Sequence, residues 1–220
     1  MGRGAAWVSS GGETQRWRLV RGVLRRMHLE RVSERFDPTL VLAAFNFVNG
    51  GVSIGLIAAV ALWTGESFIF PSLGATAFIL FYMPLAAPAS PRNVLLGHLI
   101  GALAGWASLA LFGLLDAAPA VMAGMDWPRV GATALSLAVT TSLMALLRVA
   151  HPPAGATTLI VSLGLMPQLS QIPVLMAAVL LLLAQALVLN RLAGLPYPWW
   201  ARQAGPGAQL DIASGGAPAR

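Results

Sequence analysis

The stretch Pro71-Ser72-Leu73-Gly74-Ala75-Thr76 returns further along the chain, one residue shorter, as Pro153-Ala154-Gly155-Ala156-Thr157. Setting Gly74 on Gly155 gives an offset of 81 residues, and the same offset carries Leu42–Trp63 onto Ala123–Met144 and Val94–Leu115 onto Leu175–Pro196. Each copy of the motif opens a short apolar segment lying between two long ones. The long segments run from Leu40 to Trp63, Val94 to Leu115, Val130 to Val149 and Val174 to Leu195; the short ones run from Pro71 to Ala86 and from Pro153 to Leu165. About 20 residues at 1.5 Å each cover the hydrocarbon of a bilayer, so the long segments are read as spanning helices. Three element pairs under one offset indicate an internal duplication of a three-segment unit. A unit with an odd number of crossings repeats upside down. The fold class expected is therefore all-α and integral to the membrane: a helical bundle of two inverted three-segment repeats, long-short-long, about 38–116 and 119–197.

Composition agrees. Of 220 residues, 57% are hydrophobic and 10% charged, far below the quarter or so that a soluble surface carries. The absence of cysteine excludes disulfides and thiolate chemistry. All fourteen basic residues are arginine, and eight precede Asp37. A basic cluster just ahead of the first apolar segment fits a cytoplasmic flank better than a nucleic-acid surface. Residues 1–36 are read as a basic arm, with Trp17, Val20, Leu24 and Met27 at helical spacing for an interfacial helix. With the N-terminus inside and six crossings, Arg92, Arg148, Arg191 and Arg202 fall inside, while Glu66, Asp116 and Asp126 fall outside with Arg129. Trp63 and Trp127 then mark the outer interface. Residues 199–220 are read as an interfacial Trp199-Trp200 anchor followed by a disordered tail.

Chemistry is expected at the two short helices. Pro71 to Ala86 makes a helix of about 24 Å and Pro153 to Leu165 one of about 20 Å, both short of a core of about 30 Å. Each is expected to start within the membrane, proline first, after an extended entry. A helix start at depth presents backbone N–H groups and the positive end of its dipole, which suits an anion. The substrate-binding residues expected are Ser72, Gly74, Ala75, Thr76, Gly155, Ala156, Thr157 and Thr158, with His151 at the mouth of the second helix and Asn46 from the first. His98, beside the Gly97-x3-Gly101-x3-Gly105 ladder, is read as a structural hydrogen-bonder on a close-packing face, and the small bundle as a candidate homo-oligomer. Between Asp37 and Asp116 the sequence has one carboxylate, Glu66, and between Asp126 and Asp211 none. Cation pathways place carboxylates in the membrane, so a small inorganic anion is the expected cargo, with lipid as the other partner. No catalytic residue, metal or cofactor is expected. Ser72 with a histidine lacks an orienting carboxylate, and two histidines alone make a weak metal site.

His151-Pro152-Pro153-Ala154-Gly155-Ala156-Thr157 resembles the signature for which the HPP family of integral membrane proteins is named. Phe70-Pro71-Ser72-Leu73-Gly74-Ala75-Thr76 and Pro91-Arg92-Asn93-Val94-x-x-Gly97-His98 resemble its other common blocks, in the same order, over about residues 38–195. The resemblance implies four membrane helices, with the Pro-Gly-Ala-Thr segments as partial ones, and through members linked to nitrite transport it implies nitrite as the anion. A bacterial inner membrane is the expected location. The competing expectation is a non-transporting sensor or scaffold that acts through its basic arm.

Overall fold

The structure, a computed structural model, describes residues 29–66 and 69–201; most of the basic arm and the tail after Ala201 lie outside them. The described residues form helices α1 Leu29–Ser33, α2 Pro38–Thr64, α3 Pro71–Tyr82, α4 Pro91–Leu111, α5 Ala120–Ala123, α6 Trp127–Leu146, α7 Pro153–Ser162 and α8 Gln171–Leu192, with a 3-10 turn at Ala87–Ala89. No strand occurs among them. Four helices are long and apolar enough to cross a membrane: α2, α4, α6 and α8, of 27, 21, 20 and 22 residues.

Local chemistry sets the boundaries. Asp37 accepts hydrogen bonds from the Thr39 and Leu40 amides and so caps α2, whose first residue is Pro38. Gly65 closes α2 in the left-handed region at φ 72° and donates its N–H to Ala61 O. The helices α3 and α7 are shorter than the sequence suggested, 12 and 10 residues. That is about 18 and 15 Å, half the hydrocarbon thickness. The first stops at Tyr82 rather than Ala86, because Met83 precedes Pro84 and a residue before proline is driven out of the helical region. The second stops at Ser162 rather than Leu165, where Gly164 turns the chain at φ 81°. The 81-residue offset maps α3 and α4 onto α7 and α8 to within a residue or so at each end. It maps α2 onto α6 only in part, since Gly124 at φ 80° interrupts the helix and Asp126 restarts it by accepting the Arg129 amide.

Backbone and side-chain bonds sort the helix ends into two groups. At one end, Leu29 N–H bonds Ala193 O and Arg92 N–H bonds Trp200 O. There too the Arg92 guanidinium donates to Leu147 O and Arg148 O, at 3.1 and 3.2 Å. At the other end, Ala120 N–H bonds Leu163 O, Arg129 reaches Ala118 O, and the Phe112 ring lies against Gly131. Glu66, Pro71, Leu165 and Gln171 share one cavity at that end. The chain therefore runs from end to end six times: α2, α4 and α7 in one direction and α3, α6 and α8 in the other. Four of these passes are made by long helices, and two by a short helix plus non-helical chain.

At the centre stands α4. Gly97, Gly101 and Gly105 face α7 so closely that an added Cβ would come within 2.8 Å of His151 Cβ, 2.7 Å of Ala154 O and 2.8 Å of Thr158 O in turn. The ladder is spent within the chain and is not free to seat a second copy. Opposed to it, Ile57, Leu73, Ala77, Leu80 and Phe81 join Leu175, Val179 and Leu182 of α8 in the core.

Candidate functional site

Gly97 sits six residues into α4, about 9 Å along it, and it abuts His151. The helix α7 thus starts well below the level at which α4 starts. On the other side, Asn190 Nδ2 donates to Leu80 O at 3.0 Å and sets the register of α3 on α8. Counting back at 1.5 Å per residue places Pro71 about 15 Å in from the start of α8. Both short helices thus begin below the level of the long helices beside them, one counted from each end of the bundle. No side chain caps either start.

Between them lies a buried cluster of two histidines and two threonines. His98 Nδ1 is 2.7 Å from Thr157 Oγ1. Its Nε2 is 2.9 Å from Thr76 Oγ1 and 3.3 Å from His151 Nε2. His151 Nε2 is also 3.2 Å from Thr76 Oγ1, and its Nδ1 is 2.8 Å from Pro88 O. All four side chains are at most 1% exposed. Thr76 and Thr157 are partners under the 81-residue offset, so one imidazole joins equivalent hydroxyls of the two short helices.

The expected site residues divide accordingly. Thr76, Thr157 and His151 come together. Thr158 is buried too, but its hydroxyl bonds Thr140 Oγ1 at 2.9 Å and Ala154 O at 3.1 Å, so it ties α7 to α6. Ser72 is buried near the start of α3 with its hydroxyl unpartnered, as is Ser53 on α2. Gly74, Ala75 and Ala156 lie on exposed helix faces, and Gly155 is half-buried. Their amides belong to the helices themselves, since Gly155 N–H bonds Pro152 O and Gly74 falls in the fourth position of α3. They are not open donors in this arrangement. Asn46 bonds Leu42 O within its own helix and does not join the cluster. His98, set aside as structural, is the centre of it. The signal was present: a residue next to Gly97 must face the helix that the glycine admits.

A cavity of about 250 Å³ opens at the Glu66 end, lined by Phe70 and Pro71 at the start of α3 and by Ile160, Leu165, Met166 and Val174. Thr76 lies five residues, about 7.5 Å, beyond Pro71. The opposite end is tied shut. Besides the Arg92 bonds, Asn93 Nδ2 donates to Ala87 O and Ala150 O, and Tyr197 hydroxyl donates to Ala89 O at 2.6 Å. Burial pushes the Tyr197 phenol up from its ordinary value, which keeps it a donor there. A wider trough of about 830 Å³ between Leu85, Arg191 and Trp199 touches none of the cluster residues.

A family model described as HPP, transmembrane region, matches residues 36–198. A transmembrane protein of Dictyostelium discoideum is 31% identical over 137 residues, 59% of this chain and 44% of that protein. The chain thus spans less than half the length of that relative. No solved structure matches it.

Proposed function

The chain belongs to the HPP transmembrane family and is a multi-pass membrane protein, and from that premise we propose that it passes a small inorganic anion across the bilayer, nitrite by the family resemblance. The observation that carries this reading is the His98 bridge between Thr76 and Thr157. It joins equivalent hydroxyls in the second turns of the two short helices through one imidazole. Each start contributes the positive end of a helix dipole. On this reading the hydroxyls and imidazoles exchange their mutual hydrogen bonds for bonds to a passing anion, and no carboxylate lies in the sequence between Glu66 and Asp116 or between Asp126 and Asp211 to repel it. The inverted repeat explains the symmetry, since a site between two such units reads alike from either end.

In this arrangement a cavity at the Glu66 end reaches the start of α3 without touching the cluster, and the Arg92 end is tied shut. An anion entering the cavity meets the start of α3 and the unpartnered Ser72 hydroxyl, then Thr76 and the histidines. Release requires the Arg92 and Asn93 contacts to part. By the positive-inside rule the Arg92 end is cytoplasmic, since Arg35, Arg92, Arg148 and Arg191 gather there. A bacterial inner membrane suits this orientation.

Flux of nitrite, nitrate, chloride and formate into proteoliposomes holding the purified chain tests the reading. Selective entry of one anion, reduced at least tenfold by Thr76→Val or Thr157→Val, is expected. Equal flux in folded variants would remove the cluster from the route. Absence of flux from folded wild-type protein would remove transport itself.

A further inference from the structure

The cluster's hydrogen bonds determine where its protons sit. Pro88 O can only accept, so His151 Nδ1 carries a proton, and in the neutral ring its Nε2 is a bare acceptor. That acceptor faces His98 Nε2 at 3.3 Å and Thr76 Oγ1 at 3.2 Å. Thr76 has one hydrogen, and its hydroxyl also bonds Ser72 O at 3.0 Å. If Thr76 donates to Ser72 O, His98 must supply the proton through Nε2. His98 Nδ1 is then the acceptor, and Thr157 hydroxyl donates to it at 2.7 Å. Every donor is used once. The chain of bonds runs one way, from Thr157 to His98 to His151 to the Pro88 carbonyl. The other neutral tautomer of His98 sets two nitrogen lone pairs against each other at 3.3 Å and is disfavoured.

This arrangement can take up one more proton at His98 Nδ1, with one change: the Thr157 hydroxyl turns from donor to acceptor. A cation in that position is buried and needs a partner. Among the described residues no carboxylate faces it. Among the helices packed around the pair, the charged or titratable groups are Tyr82 on α3, Arg92 on α4, Arg129 on α6 and Arg191 on α8, with Arg148 just beyond α6. None of these is a carboxylate, and they lie toward the bundle ends. Arg92 is directed to backbone carbonyls and Arg129 to Asp126. The carboxylates Glu66, Asp116 and Asp126 stand at or near the end remote from Arg92. The counter-ion that makes the extra proton tolerable is therefore the cargo.

We propose that the protein is a proton–anion symporter in which His98 and His151 hold one transferable proton that loads and leaves with a single monovalent anion. This rests on the transport reading above and adds the coupling to it. One proton and one anion move in the same direction, no net charge crosses, and nothing is oxidised or reduced. An unloaded cluster is neutral; a fully loaded cluster is again neutral. A half-loaded cluster carries an unpaired buried charge, which suppresses leak of either ion alone.

The test uses the full chain in proteoliposomes with a pH-sensitive dye inside. Nitrite, nitrate, chloride and formate gradients are imposed in turn at equal pH on both sides, and protein-free vesicles correct for diffusion of undissociated acid. Anion entry is expected to acidify the lumen by one proton per anion, at a rate indifferent to a potassium–valinomycin potential. An inward proton gradient is expected to drive the anion uphill. His98→Gln keeps one donor and one acceptor but cannot be protonated, and it should reduce proton movement at least tenfold and abolish uphill uptake. If that variant does not fold, His151→Gln is read in the same way. Anion entry without acidification, steered by the valinomycin potential, would overturn the symport and leave transport standing. So would wild-type proton movement in a folded glutamine variant. No anion entry under any gradient would remove transport, and the coupling with it.

Discussion

Ser72 keeps a hydroxyl in the core with nothing to bond. Leaving a buried polar group unpaired costs about 1–3 kcal/mol. Serine in a helix can usually bond the carbonyl four residues back, as Thr76 does to Ser72 O at 3.0 Å, but Ser72 stands in the first turn beside Pro71. On the transport reading proposed above, that hydroxyl is a donor to the passing anion. Ser72→Ala is therefore expected to leave thermal stability unchanged or to raise it by about 1 kcal/mol, and to lower anion flux several-fold. Unfolding in detergent and vesicle flux, measured on the same preparation, check both halves, and loss of stability with normal flux would contradict them. His98 is the opposite case, a polar group whose two ring nitrogens are both engaged. His98→Phe strands Thr76, Thr157 and His151 together, and its melting temperature should fall well below that of the Ser72 variant. From the sequence, Ser72 is expected to bind substrate and His98 to be a structural hydrogen-bonder on a close-packing face. The role of His98 was missed because the partner that makes it central, Thr157, is 59 residues away along the chain.

The short helices are where reading from the sequence went furthest. Their prolines, the shared Gly-Ala-Thr and the 81-residue offset located both starts, because proline at the first turn and glycine beyond the last act locally. Their ends were overrun by three or four residues, since an apolar run does not show that Met83 precedes a proline it cannot join in a helix. The glycines divide by what faces them, which composition does not reveal. Gly97, Gly101 and Gly105 are pressed against α7, whereas Gly51, Gly55 and Gly74 have nothing within 4 Å of an added Cβ. Gly101→Leu should force α4 off Ala154 and Thr158 and cost about 3 kcal/mol, the upper range for overpacking. Gly51→Ala, in open space within α2, should be tolerated and stabilise the helix by about 0.5–1 kcal/mol. Monodispersity and melting temperature after solubilisation distinguish the two. Equal tolerance at Gly101 and Gly51 would mean that α4 and α7 are not packed as described. Because the Gly101 contact also seats the start of α7, an intermediate Gly101→Ala variant is expected to lose flux before it loses its fold.

Across the whole molecule, charged side chains divide between the two ends of the bundle. Arg35, Arg92, Arg148 and Arg191 share one end with Trp199 and Trp200. The other end carries Glu66, Asp116 and Asp126, and its Arg129 is paired with Asp126 at 3.0 Å. Trp63 and Trp127, 90% and 85% exposed, stand at that second end, at the depth where indole rings meet the headgroups. A chain that passes six times returns its last helix to the end at which its first began, and the Leu29 to Ala193 hydrogen bond joins those two points directly. Four passes would return it as well, so parity does not decide the number. In the structure α3 runs from the Glu66 cavity toward Asn190 rather than doubling back. Orientation can be tested without disturbing the fold, because the chain has no cysteine of its own. Thr64→Cys and Ala201→Cys place single thiols at exposed positions on opposite ends. With a membrane-impermeant maleimide, Thr64→Cys should label in intact cells and Ala201→Cys only after permeabilisation, since arginine-rich ends stay in the cytoplasm. The reverse pattern would turn the molecule over. The Glu66 cavity would then face the cytoplasm, the Arg92 latch would face outward, and the arrangement described would be one poised to load anion from inside the cell.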